Sequence, residues 1–144
     1  MTQRINYSSA SPEGYKAFGN VYGYVQKSGL PTELIDLVYL RVSQINGCAF
    51  CINMHTAEAR KNGETEQRIY LLNAWREADV FTDAEKAMLA FTEEVTLISS
   101  HVPDETYANA AKYFDEKYLS DILMMIIIIN SWNRMAIATG LRVA

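Results

Sequence analysis

The chain has 144 residues, of which 49% are apolar, 11% aromatic and 21% charged, with a formal charge of −4. That size and composition suit one ordered domain spanning 1–144 with its own core, and no stretch has the bias of a disordered segment. The acidic balance and the lack of a Lys/Arg cluster argue against a nucleic-acid partner.

The opening "MTQRINYSSA" has no apolar stretch, so no secretory signal is expected and the cytoplasm is the expected compartment. Pro12, Pro31 and Pro103 stand where helices can begin, because proline lacks the N–H that would be unpaired in a first turn. Gly29, Gly63 and Gly140 suit left-handed caps at helix ends. Between these marks the apolar spacing is helical: Tyr15, Phe18, Tyr22 and Val25 share one face, and Ala84, Met88, Phe91, Val95 and Ile98 another. Thr82 and Glu85 form the pattern of a capping box. The spacing predicts helices near 12–28, 32–46, 48–62, 65–77, 82–99, 103–115 and 118–139, an all-α fold of six to seven helices with no alternating strand pattern.

The longest apolar run, Ile122 to Ile129, is too short for a hydrocarbon core that needs about 20 residues, so no membrane partner is expected. In the last helix Ile122, Met125, Ile126 and Ile129 make one apolar stripe, and Leu123, Ile127, Ile137 and Leu141 a second. A helix apolar on two sides needs cover on both, which predicts a homo-oligomer.

The chemistry concentrates in "SQINGCAFCINMHTAEARKNG". Asn46-Gly47 favours a turn, so a helix is expected to start beside Cys48, with Cys51 in its first turn and His55 four residues on. Offsets of three, four and seven place Cys48, Cys51 and His55 on one stripe. Cysteines three apart on a helix have Cα atoms about 5–5.5 Å apart, within the range of a disulfide. First-turn N–H groups stabilise a thiolate, and an imidazole can accept its proton. Lowering a thiol pKa from about 8.5 to about 6.5 takes roughly 2.7 kcal/mol, whereas a helix terminus contributes about 0.3–1 kcal/mol. A base such as His55 therefore has to contribute. Asp36, flanked by Leu34, Ile35, Leu37 and Val38, is either on the wet side of its helix or paired, with Arg41 as one candidate partner and the neighbourhood of His55 within reach of a hairpin about Asn46-Gly47. A zinc site with His101 or water as fourth ligand, and a plain buried helix, stand as rivals.

The segment "DLVYLRVSQINGCAFCINMHTAEARKNGETEQR", with "WREADVFTDAEKAMLAFTEEVT" downstream, resembles the alkylhydroperoxidase D branch of the carboxymuconolactone decarboxylase family over roughly residues 12 to 142. The core pattern is an acid, eleven positions, then Cys-x-x-Cys-x-x-x-His. The resemblance implies an all-helical subunit in homo-oligomers, often trimers or hexamers, with no cofactor, reducing hydroperoxides at the expense of a dithiol. It implies Cys51 as the peroxidatic thiolate, Cys48 as the resolving thiol, and His55 as the base in a proton relay with Asp36. It also implies a lipoyl-bearing protein or similar reductant. Two positions depart from the pattern: Asp36 stands where Glu is usual, and Phe50 stands where the best-known peroxidases have His. A ring-cleavage decarboxylase, which needs no cysteine pair, and a non-enzymatic redox sensor are the competing functions. Tyr15, Tyr22, Trp75, Phe91 and Trp132 read as packing, with some lining a route to the thiols, and the "NSWNR" run of the last helix as a source of buried hydrogen bonds or an inter-subunit contact.

Overall fold

The computed structural model describes residues 3–143, which form eight α-helices and no strand. They are α1 (Tyr7–Ala10), α2 (Pro12–Gln26), α3 (Thr32–Asn46), α4 (Ala49–Lys61), α5 (Glu66–Leu71), α6 (Asp83–Thr96), α7 (Asp104–Ala110) and α8 (Glu116–Thr139). The all-α expectation holds, and most boundaries lie within a few residues of the punctuation. Thr82 and Glu85 close the expected capping box, the Glu85 N–H donating to Thr82 Oγ1 at 3.2 Å and the Thr82 N–H to Glu85 Oε2 at 2.8 Å.

Two elements differ from the sequence reading. A short α1, capped by Asn6, precedes α2. The helix expected over 65–77 is broken: after α5 the chain tightens into a 3₁₀ segment, Leu72–Glu77, with Ala74 at φ −118°. The reason is tertiary. The Trp75 indole N–H donates to Glu93 Oε1 at 2.8 Å and Arg76 to Glu93 Oε2 at 2.6 Å, so both side chains turn toward α6 at the expense of a regular helix.

The middle of the fold is α3, where nine residues are buried, including the run Leu34 to Leu40. It packs against α4, α6 and α8, and α2 lies across α8. By length and composition alone α8 could cross a bilayer, which the eight-residue run was expected to exclude. Its Ile122, Met125, Ile126, Ile128 and Ile129 are buried in the main core, as in the central helix of a globular protein. The second stripe is still open, with Leu123 at 37%, Ile127 at 48% and Ile137 at 48% exposure.

Two glycines fix the ends of the site. Gly47, at φ +67°, lets α3 stop and α4 start at a sharp angle, with the Cys48 N–H bonded back to the Ser43 carbonyl at 3.0 Å. Gly140, at φ +76°, does the same for α8 and folds Leu141 back, its N–H donating to the Ala136 carbonyl at 2.9 Å. An amide network clamps the first of these turns: Asn46 Nδ2 donates to Asn130 and Asn133 of α8 at 3.0 and 2.9 Å, and Asn133 donates to the buried Ser43 hydroxyl at 3.1 Å. The polar run of the last helix thus supplies buried hydrogen bonds that hold the segment carrying Cys48.

Candidate functional site

Cys48 and Cys51 form a disulfide with a Cα separation of 5.3 Å. Cys48 is the N-cap of α4 and Cys51 lies in its first turn, as the Asn46-Gly47 turn implies. The Cys51 backbone N–H donates to Cys48 Sγ at 3.4 Å, so the helix-start amide serves the first sulfur, whereas the sequence reading assigned such help to the second. Both sulfurs are buried, packed with Ala136, Phe50 and Leu141 in a small cluster apart from the main core.

His55, one turn beyond Cys51, has no exposed surface. Its Nδ1 lies 3.0 Å from Glu58 Oε2. A carboxylate can only accept, so Nδ1 carries the proton and Nε2 keeps its lone pair. That Nε2 is buried and has no hydrogen-bond partner. Burial pushes the His55 pKa down, against the opposing pull of the Glu58 charge and hydrogen bond, which favours the neutral imidazole. The ring is held from the other side by Tyr39, centroids 4.9 Å apart, and Tyr39 stacks in turn on Tyr22 at 5.6 Å. A neutral imidazole with an unpartnered acceptor nitrogen is the form a general base requires.

Asp36 requires a correction. It is buried at 5% exposure, and its Oδ2 accepts from Asn62 Nδ2 at 2.8 Å; neither His55 nor Arg41 is its hydrogen-bond partner. Arg41 pairs with Glu93 at 2.7 Å. Burial raises the Asp36 pKa, the Asn62 bond opposes that, and Glu58 is the first of the neighbouring acids to add to the rise. The carboxylate that touches His55 is Glu58, which the sequence reading did not single out. Its signal was present: three residues after His55 on one helix, it falls on the same face.

Cys51, His55 and Glu58 line one side of a cavity of about 430 Å³. Tyr7, Tyr15, Tyr22, Phe50 and Trp132 supply the aromatic part of the remaining wall, and Gly19, Met54, Ile129, Ala136 and Leu141 the rest. Tyr15 and Trp132 meet edge to face, centroids 5.4 Å apart, and Tyr7 packs on both. Of the five aromatics read as packing, Tyr15, Tyr22 and Trp132 therefore also line the approach to Cys51, while Trp75 and Phe91 are buried in the main core. Phe50, which replaces a histidine of the pattern, presents its ring to the cavity. His101, the candidate fourth zinc ligand, ends the 3₁₀ turn after α6 and lines neither this cavity nor the one beside Cys48. Among the described residues no group of three or more His, Cys, Asp or Glu is arranged to hold a metal ion.

Comparison with known proteins agrees with this architecture. Residues 12–94 match the profile of the Carboxymuconolactone decarboxylase family. The uncharacterized protein YdfG of Bacillus subtilis is 48% identical over all of this chain and 99% of its own length. A protein of unknown function from Agrobacterium tumefaciens, for which a role as the antioxidant defence protein AhpD has been suggested, superposes with a TM-score of 0.96 at 41% identity, covering 99% of both chains. The debrominase Bmp8, solved in complex with 2,3,4-tribromopyrrole, shares the fold with a TM-score of 0.82 at 22% identity, over 94% of this chain and 73% of its own. With its profile spanning more than half the sequence and a full-length relative near one-half identity, the chain belongs to the carboxymuconolactone decarboxylase family, in its alkylhydroperoxidase D-like branch.

Proposed function

We propose that the protein is a thiol-dependent peroxidase that reduces organic hydroperoxides with the Cys48/Cys51 pair. The fold alone does not choose this chemistry, since a debrominase shares it. The observation that carries the reading is the buried, neutral His55, its Nε2 without a partner, lining the same cavity as Cys51 beside a pair that closes into a disulfide.

In the reduced protein His55 Nε2 takes the Cys51 thiol proton, while Glu58 at Nδ1 fixes the tautomer and steadies the positive charge that develops on the ring. The thiolate attacks the terminal oxygen of the hydroperoxide. The O–O bond breaks, the sulfur becomes a sulfenic acid, and the departing alkoxide leaves as an alcohol with the proton His55 holds. The Cys48 thiol then attacks the Cys51 sulfur, water departs, and the disulfide seen here forms. An external dithiol, such as that of a lipoyl-bearing protein, restores both thiols by exchange. Asp36 acts in this scheme through its charge near Glu58 and not as a direct ligand of the imidazole.

The lining of the cavity supports a reading of the substrate class. Its wall is aromatic and Phe50 adds a ring beside the thiol, which favours a hydroperoxide with a bulky apolar or aryl substituent over hydrogen peroxide. We also assign the exposed Leu123, Ile127 and Ile137 stripe of α8 to contact with further copies of the chain, and a solution mass equal to one subunit would refute that assignment.

Mixing reduced protein with cumene hydroperoxide, while following peroxide and thiol titre, tests the proposal. Wild type should consume one peroxide per two thiols. Cys51→Ser should consume almost none, and Cys48→Ser should stop as a sulfenic acid. Fast oxidation of the pair that never turns over with a competent dithiol would make the protein a sensor.

A further inference from the structure

Of the residues that line the aromatic cavity, Gly19 alone has no side chain. It sits inside α2 on the face that carries Tyr15 and Tyr22, four residues after the first and three before the second. Both rings are held by neighbours of their own. Tyr15 meets Trp132 edge to face, and Tyr22 stacks on Tyr39. Between the Cα atoms of these tyrosines the helix rises about 10.5 Å, and Gly19 leaves that interval empty. Gly19 is exposed, so the resulting slot opens at the mouth of the cavity.

Two ordinary reasons for a glycine fail here. The backbone does not require one, because the glycines with positive φ are Gly29, Gly47, Gly63 and Gly140. Close packing does not require one either. Apart from the backbone of its own helix, a Cβ built on Gly19 would meet no atom of the described residues within 4 Å. Yet a glycine inside a helix is destabilising relative to alanine. Gly14 and Gly23 of the same helix are equally open, but neither lines the cavity. Because Tyr15 and Tyr22 on the same face also line it, a side chain at position 19 would extend into the space that reaches Cys51.

We infer that Gly19 is a specificity-determining position, and that the slot it leaves between Tyr15 and Tyr22 receives the aryl substituent of an organic hydroperoxide. The inference rests on the peroxidase reading and says where the carbon part of the substrate lies while its O–O bond meets Cys51. An aryl group suits the slot because the tyrosine rings and Trp132 border it, and ring pairs prefer the offset and edge-to-face contacts available there.

Reduced protein is mixed in turn with cumene hydroperoxide, tert-butyl hydroperoxide and hydrogen peroxide, and the second-order rate of thiol oxidation is read for each. In Gly19→Leu the ratio of the cumene hydroperoxide rate to the hydrogen peroxide rate should fall about tenfold or more. The ratio for tert-butyl hydroperoxide should fall less. Gly19→Ala, which favours the helix, should move the ratios in the same order by smaller factors, and Gly23→Ala should move neither. Unmoved ratios in Gly19→Leu, or the same shift from Gly23→Ala, would overturn this inference and leave the peroxidase standing. So would a solution mass that falls in Gly19→Ala while the ratios hold, since a second copy of the chain would then fill the slot. If wild type reacted with none of the three peroxides, the peroxidase reading would fall and binding would decide the slot. In that case 2-phenyl-2-propanol, the alcohol left by cumene hydroperoxide, should perturb the fluorescence of Trp132 in wild type and not in Gly19→Leu. Any other pattern would overturn the slot as well.

Discussion

Glu93 and His55 are two polar side chains buried in the same fold, and their surroundings are opposite. Glu93 accepts from Trp75 at 2.8 Å, Arg41 at 2.7 Å and Arg76 at 2.6 Å. Burial alone would raise its pKa, but these bonds outweigh it and hold the carboxyl below the usual range. Both carboxylate oxygens of Glu93 are in use, and the cluster joins α3, the 3₁₀ segment and α6. His55 is more deeply buried, yet one ring nitrogen is left without a partner. A buried polar atom without a bond costs about 1–3 kcal/mol. Glu93 is fully satisfied, whereas His55 Nε2, like the Tyr39 and Thr92 hydroxyls, is buried without a hydrogen-bond partner among the described residues.

The comparison can be broken from either side. Glu93→Ala should have the largest effect, a loss of about 3 kcal/mol in denaturant unfolding, because Arg41 and the Trp75 N–H lose their partner together. The protein that remains folded should still oxidise its thiols with cumene hydroperoxide at the wild-type rate. His55→Gln should do the reverse. Its peroxide-dependent thiol loss should slow about a hundredfold, near 2.7 kcal/mol in barrier, with a smaller change in unfolding than Glu93→Ala.

Glu58→Gln should slow the same step about tenfold and shift its pH profile. Burial lowers the His55 pKa and the Glu58 charge opposes that. Removing the charge lowers it further, so the acid limb of the rate profile should move to lower pH. An unmoved limb would remove Glu58 from the site. Asp36→Asn should have the smallest effect on rate, less than about threefold, because its carboxylate is bonded to Asn62 and not to His55. Its signature is in stability. The Asp36 pKa is raised on folding from 3.8, so its contribution is greatest where the carboxyl is protonated and is lost as pH rises through the folded value. The variant should therefore lose less stability than wild type as the pH is raised from about 4 to about 7. If Asp36→Asn proved as slow as Glu58→Gln, the direct relay read from the sequence would be restored.

What could be read in advance follows from how local each cause is. Pro12, Gly47, the Thr82 cap and Gly140 act on their own neighbours, and the helices they bound were legible. The stripe carrying Cys48, Cys51 and His55 was legible for the same reason, since one helix and its cap hold all three. Leu72–Glu77 was misread as helix because its shape is decided by Glu93, which lies 18 residues from Trp75 and 17 from Arg76. Asp36 had the right company of apolar neighbours to mark it as buried, but periodicity says nothing about which polar group meets it, and Asn62 lies in the cap of another helix. The aromatic wall joins Tyr7 and Tyr15 at one end of the chain to Trp132 at the other, a juxtaposition made only by the crossing of α2 over α8.

The central claim is that the Cys51 sulfur is activated by the neutral His55 imidazole. The most direct measurement is the rate of alkylation of Cys51 in the Cys48→Ser variant across pH 5 to 9, with His55→Gln added as a second change. A rate that reaches half its plateau well below the free-thiol value of about 8.5, and moves back toward it when His55 is replaced, is the predicted result. A profile that follows free cysteine with and without His55 would contradict the account.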